Sequence, residues 1–213
     1  MNPTLQAHAD RPLWQRITLG FVVGAGAALA LLSMAGDLRH AFRDPGFMLA
    51  VIAGLCYCLI GAIVGAGLLA PKAGARFLNV ADAEEIGDER AKMWPSALSC
   101  ILLGLFFLAL AFAPSLPAGR SAILAGLAIC VAAVAALTVS VTHHSDELGK
   151  RIGTEASALT LHLAIVLFGG WATLAHLGFV AWITPLAFLA GLALLMLAAI
   201  FWLSASKGLM SPR

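Results

Sequence analysis

FMLAVIAGLCYCLIGAIVGAGLL, residues 47–69, runs from Phe47 to Leu69 without a single charged side chain and gives way to Ala70-Pro71. Crossing the roughly 30 Å hydrocarbon core of a bilayer takes about 20 apolar residues at a helical rise of about 1.5 Å each. A barrel strand would instead alternate polar and apolar side chains over about ten residues. The run is continuous, so it reads as a transmembrane helix. Five further stretches read the same way, near Ile17 to Met34, Ala97 to Ala113, Ser121 to Val141, Ala158 to His176 and Thr184 to Leu203. The expected fold class is therefore all-α: a polytopic membrane protein, one transmembrane domain over residues 1–213, built as a six-transmembrane-helix bundle.

Composition excludes an ordinary soluble domain. The chain is 61% hydrophobic and 11% charged, with a mean hydropathy of +0.95, against about a quarter charged in typical globular domains. A net charge of +2 gives no electrostatic case for nucleic acid. Arg11 and Arg16 ahead of the first span, with Ala35 and Gly36 after it, resemble a signal peptide. The apolar run exceeds the roughly 7 to 15 residues usual there, so an uncleaved helix is the preferred reading.

Lys and Arg set the expected orientation. With a cytoplasmic N-terminus, the inner set is Arg11, Arg16, Lys72, Arg76, Arg90, Lys92, Lys150, Arg151, Lys207 and Arg213, and the outer set only Arg39, Arg43 and Arg120. Ten against three puts both termini in the cytoplasm. Trp14, Trp94 and Trp202 then fall at the inner interface and Trp171 and Trp182 near the outer one, where amphipathic rings settle. Pro45, Pro95 and Pro185 mark helix starts, with Thr184 as the expected N-cap of the last helix. The apolar link from Leu177 to Ile183 is expected in the interface or folded back on the bundle.

Gly20 and Gly24 form a GxxxG step in the first span, and Gly61 and Gly65 repeat it in the second. Small residues let helix backbones approach where lipid removes the hydrophobic drive. The simplest reading packs these two helices together; a homo-oligomeric or heteromeric contact is the alternative. Cys56, Cys58, Cys100 and Cys130 all fall inside spans and read as small packing residues rather than metal ligands or disulfides.

Two loops expected on the inner side carry most of the polar chemistry. Glu84-Glu85-Ile86-Gly87-Asp88-Glu89-Arg90 precedes Ser96-Ala97-Leu98, and Asp146-Glu147-Leu148-Gly149-Lys150-Arg151 precedes Ser157-Ala158-Leu159. The likeness suggests an internal duplication of helical hairpins, helices 2–3 and 4–5, flanked by the first and last helices. Each acidic segment can extend the helix after it, with Asp82 and Glu85 at capping-box spacing. Asp88 with Lys92, Asp146 with Lys150, and Glu147 with Arg151 stand four apart, suited to pairing along a helix. These turns read as solvated helix starts, as a docking surface, or as a carboxylate-rich cation site joined by His143, His144 and Glu155. The spacing matches no recognised metal motif, and no metal or cofactor is assigned.

His162 is the ionisable side chain expected deepest in hydrocarbon. Glu155 lies seven residues before it on the same face, so a proton- or ion-handling site is one reading and a hydrogen bond to a backbone or hydroxyl oxygen the other. His162 and His176, fourteen apart, share the spacing of paired haem ligands on one helix face, but matching second ligands are lacking. No nucleotide-binding loop or nucleophile elbow is present.

The run Ala75-Arg76-Phe77-Leu78-Asn79-Val80-Ala81-Asp82-Ala83-Glu84-Glu85, with Asp146-Glu147-Leu148 and Ala158-Leu159 later, resembles segments of uncharacterised multi-pass inner-membrane proteins of proteobacteria. The resemblance implies a bacterial inner-membrane location and no activity. The expected function is non-enzymatic: an accessory or scaffold subunit in the lipid bilayer that packs against a membrane-protein partner or a second copy. Small-solute or ion transport near the cytoplasmic face is the alternative, with haem-linked electron transfer more remote.

Overall fold

The computed structural model describes residues 44–70, 87, 89–115 and 119–208, and the regular structure in them is entirely helical. α1 spans Pro45–Leu69 and α2 Arg90–Phe112, closing in a 3-10 turn at Ala113–Ser115. α3 spans Arg120–His144. α4 spans Glu147–Ala164 and continues through a π-helical turn, Ile165–Gly169, into α5 at Gly170–His176. α6 spans Pro185–Ser206. With α4 and α5 taken as one rod, five helices are long and apolar enough to cross a membrane. The chain is thus a membrane-embedded helical protein. The expected first span, with Gly20 and Gly24, lies outside the described residues.

Helix starts follow local chemistry. The Asp44 carboxylate accepts from the Gly46 and Phe47 amides at 3.1 Å each, and Pro45 occupies the first turn, where no amide hydrogen is required. Thr184 Oγ1 accepts from the Ala187 amide at 3.2 Å ahead of Pro185. The Asp146 carboxylate accepts from the Gly149 amide at 2.9 Å and opens α4. The C-terminus of α5 closes on Gly178, whose φ of 80° suits a residue without Cβ. Its amide donates to Ala175 and the Phe179 amide to Leu174, which satisfies two terminal carbonyls. Trp171 Nε1 then donates to the Ala181 carbonyl at 3.0 Å and folds the apolar link back on its helix.

Among the described helices α1 is central. It runs antiparallel to α2 and parallel to α6; α3 packs on the outer side of α2, and α4 on α6. Gly54 and Gly104 meet where α1 crosses α2, and Phe47 stacks edge-on against Phe112 at 5.4 Å. On the other side, the Tyr57 hydroxyl donates to the Ala193 carbonyl at 2.9 Å. Buried residues concentrate on α1, and no residue of α3 is buried.

Several expectations change. α2 begins at Arg90, so Pro95 stands inside the helix rather than at its start. The prolyl nitrogen carries no hydrogen to give, while the Ser96 hydroxyl donates to the Lys92 carbonyl at 3.0 Å beside it. Gly61 faces α2, where an added Cβ would lie 2.7 Å from the Ala97 carbonyl oxygen, and no described residue lies within 4 Å of a Cβ on Gly65; the expected contact of these glycines with the first span lies outside the described residues. The hairpin duplication has no counterpart in packing. α1 and α2 form a packed pair, but α3 and α4, joined only by Ser145 and Asp146, turn to different neighbours.

Candidate functional site

The polar residues of α4 gather at the end where α6 finishes. Glu155 is the hub: Lys207, just past α6, approaches one carboxylate oxygen at 2.6 Å, and Arg151 Nε donates to the other at 2.7 Å. The Lys207 contact joins two helices, whereas the Arg151 contact runs four residues along one. Glu155 lies in the polar stem of α4, ahead of the apolar stretch. Hydrogen bonds from Lys207 and then Arg151 hold its carboxyl below the usual carboxylate range. Two cations fix one carboxylate as a charged brace between α4 and α6.

Two of the four-residue pairs that the spacing suggested, Asp146 with Lys150 and Glu147 with Arg151, do not form. Lys150 meets Glu147 at 3.3 Å and Lys92 meets Glu89 at 2.9 Å, both three residues apart. Arg151 turns forward to Glu155 rather than back to Glu147. Asp146 is engaged as an N-cap, which orients its carboxylate toward the amide of Gly149. Asp82, Glu84, Glu85 and Asp88 lie outside the described residues.

The histidines are held by their own helices. His144 Nδ1 lies 2.8 Å from the Ser140 carbonyl and His162 Nδ1 lies 2.7 Å from the Ala158 carbonyl. A carbonyl oxygen only accepts, so each Nδ1 carries the hydrogen and Nε2 faces outward. His143 is exposed at the end of α3. Among the described residues, no three of His, Cys, Asp and Glu gather as a metal-holding group. His162 stands seven residues beyond Glu155, roughly 10 Å along the axis, so the two do not share a hydrogen bond.

The π-turn changes what shares a face. It accommodates one extra residue and so rotates everything after it by about 100°. His176 is thereby carried off the face of His162, and the fourteen-residue haem spacing loses its geometric basis. The same turn sets Phe168 against Gly191, where a Cβ would come within 2.8 Å of the ring, and against Phe188 at 4.8 Å between ring centroids. Thr160, buried beneath it, donates to the Ala156 carbonyl at 2.7 Å and lies 3.4 Å from Met196 Sδ.

Sequence reading missed the Glu155–Lys207 brace and the Gly54–Gly104 crossing. Lys207 stands 52 positions after Glu155 in the chain (207 − 155), and no local pattern links them. Gly54 and Gly104 are isolated glycines on separate helices, without the GxxxG spacing that drew attention to Gly61 and Gly65. Comparisons with known protein families, with curated proteins and with solved structures return no match.

Proposed function

We propose that this chain is an accessory or scaffold subunit of a bacterial inner membrane, with both ends cytoplasmic, packing against another membrane protein. The exposure of His162 within an apolar helix carries the reading. Ionisable side chains in membrane helices usually face a protein interior or an aqueous cavity rather than lipid. α6 packs on another side of α4, so the His162 imidazole is uncovered by the described helices and Nε2 is open to a partner. The uncovered length of α3 supports the same reading. The ten-to-three distribution of basic residues supports the orientation, and the resemblance to proteobacterial membrane proteins supports the location.

Purification of the native protein in mild detergent tests this. A stoichiometric membrane partner is expected, retained by wild type and lost by His162→Leu while the melting profile holds. Transport is a second reading favoured by one observation: the π-turn at Ile165–Gly169 interrupts a membrane rod next to Gly170, the kind of irregularity that transporters place at binding sites. A partner-free protein that moves a solute into liposomes, and stops doing so as His162→Ala, would replace the subunit reading with this one.

A further inference from the structure

A groove between α2 and α3 plays no part in the readings above. Leu105, Phe106 and Ala109 form one wall and Ile123, Gly126 and Cys130 the other; it measures about 310 Å³, is lined almost wholly by apolar atoms and opens sideways. From Ala122 to Cys130 it follows α3 for roughly 12 Å. About 310 Å³ spread along roughly 12 Å gives a cross-section of about 26 Å², against about 80 Å² for a helix about 10 Å across with its side chains, so the groove suits a slender chain rather than a protein segment.

Arg120 lies two residues ahead of Ala122, where α3 begins to line the groove. It is the first residue of α3 and exposed, and the ion pairs among the described residues do not include it. It precedes groove residues Ile123 and Leu127 by three and seven positions, so it shares their face. Helical side chains lean toward the N-terminus, which carries the guanidinium beyond the groove toward the headgroup layer. Gly119 caps α3 without a side-chain acceptor, leaving the first amides pointing the same way. The carbonyl end of α2 lies alongside and offsets the helix dipole, so Arg120 supplies the net charge. Arg120 is also one of only three basic residues on the side that the orientation rule leaves poor in them.

We propose that this groove holds one acyl chain of an anionic phospholipid whose phosphate pairs with Arg120. An acyl chain gains little hydrophobic free energy on moving from bilayer to groove, so selection rests on the guanidinium, whose planar fork matches phosphate oxygens. The apolar slot fixes where the lipid sits. This is independent of any protein partner at His162.

Native mass spectrometry of the full chain in detergent tests it, with dioleoyl-phosphatidylglycerol and dioleoylglycerol as probes. One phosphatidylglycerol per chain is expected, retained about fivefold better than the phosphate-free lipid, the factor one basic residue supplies near an anionic charge. Arg120→Gln should remove that preference and leave dioleoylglycerol unchanged. Gly126→Leu grows into open space and should lower retention of both with the melt unaltered; Ala122→Leu provides a second filling variant should the first misfold. Leu124, 68% exposed, lies outside the groove, so Leu124→Ala should change nothing. Unchanged retention in the folded filling variants, equal retention of the two lipids, or a loss in Leu124→Ala matching that in Gly126→Leu would mean ordinary boundary lipid and overturn the proposal.

Discussion

Gly54 and Gly104 meet backbone to backbone, and a Cβ on Gly104 would stand 2.6 Å from the Gly54 carbonyl oxygen and 2.7 Å from the Cys58 amide nitrogen. Neither atom can swing aside as a side-chain tip would. Gly104→Ala should therefore cost about 1 to 3 kcal/mol, the usual penalty for overpacking, read as a lower melting temperature in detergent. Gly126→Ala, which meets nothing within 4 Å, should leave that temperature unchanged. Ser99 is the opposite case: its hydroxyl oxygen is buried with no hydrogen-bond partner among the described residues. Removing an unsatisfied polar atom relieves its desolvation cost, so Ser99→Ala should match or exceed wild type by up to about 1 kcal/mol in the same assay. Residue types alone marked none of these three positions. A glycine or serine in an apolar helix acquires meaning only from what lies opposite.

At the scale of helices, α4 joins a charged stem to an apolar rod, and the stem is tied to α6 through Glu155. Its carboxyl is held below the ordinary value of 4.5, so the brace is complete above that pH and is lost as pH falls through the lowered value. A melting series on acidification should show wild type losing α4–α6 stability only in that acid range. Glu155→Gln should be less stable at neutral pH and lack that part of the acid response. Thr184 anchors the other end of α6, and Thr184→Ala should cost about 1 kcal/mol, typical of a lost N-cap, measured as a lower melting temperature. That cap and its following proline were legible from adjacent residues. The π-turn was not, because Ile165 to Gly169 carries no residue that forbids an α-helical turn; Phe168 settles into the space over Gly191 when α4 and α6 pack.

The described helices are arranged around α1, with α2 and α6 on its flanks and α3 and α4 beyond them. Hydropathy identified the membrane-spanning character of all five described rods, because the transfer of about 20 apolar residues into hydrocarbon is a property of each segment by itself. Caps were readable for the same reason: Thr184 and Pro185 act on amides three residues away. Neighbour choice is different. The likeness of the two acidic loops suggested a hairpin of the helices that became α3 and α4, yet α3 rests on α2 and α4 on α6. Outside the charged stem of α4 these helices are apolar on every side, so no single stripe specifies a partner, and in lipid the choice falls to close fits such as Gly54 on Gly104 and Phe168 on Gly191. The sequence by itself determined that the chain is helical and membrane-embedded, since those properties depend on the solvent each segment prefers. Only the tertiary structure decided which helices touch, where Glu155 finds its second cation and which side of α4 leaves His162 uncovered, since those depend on shape across distant parts of the chain.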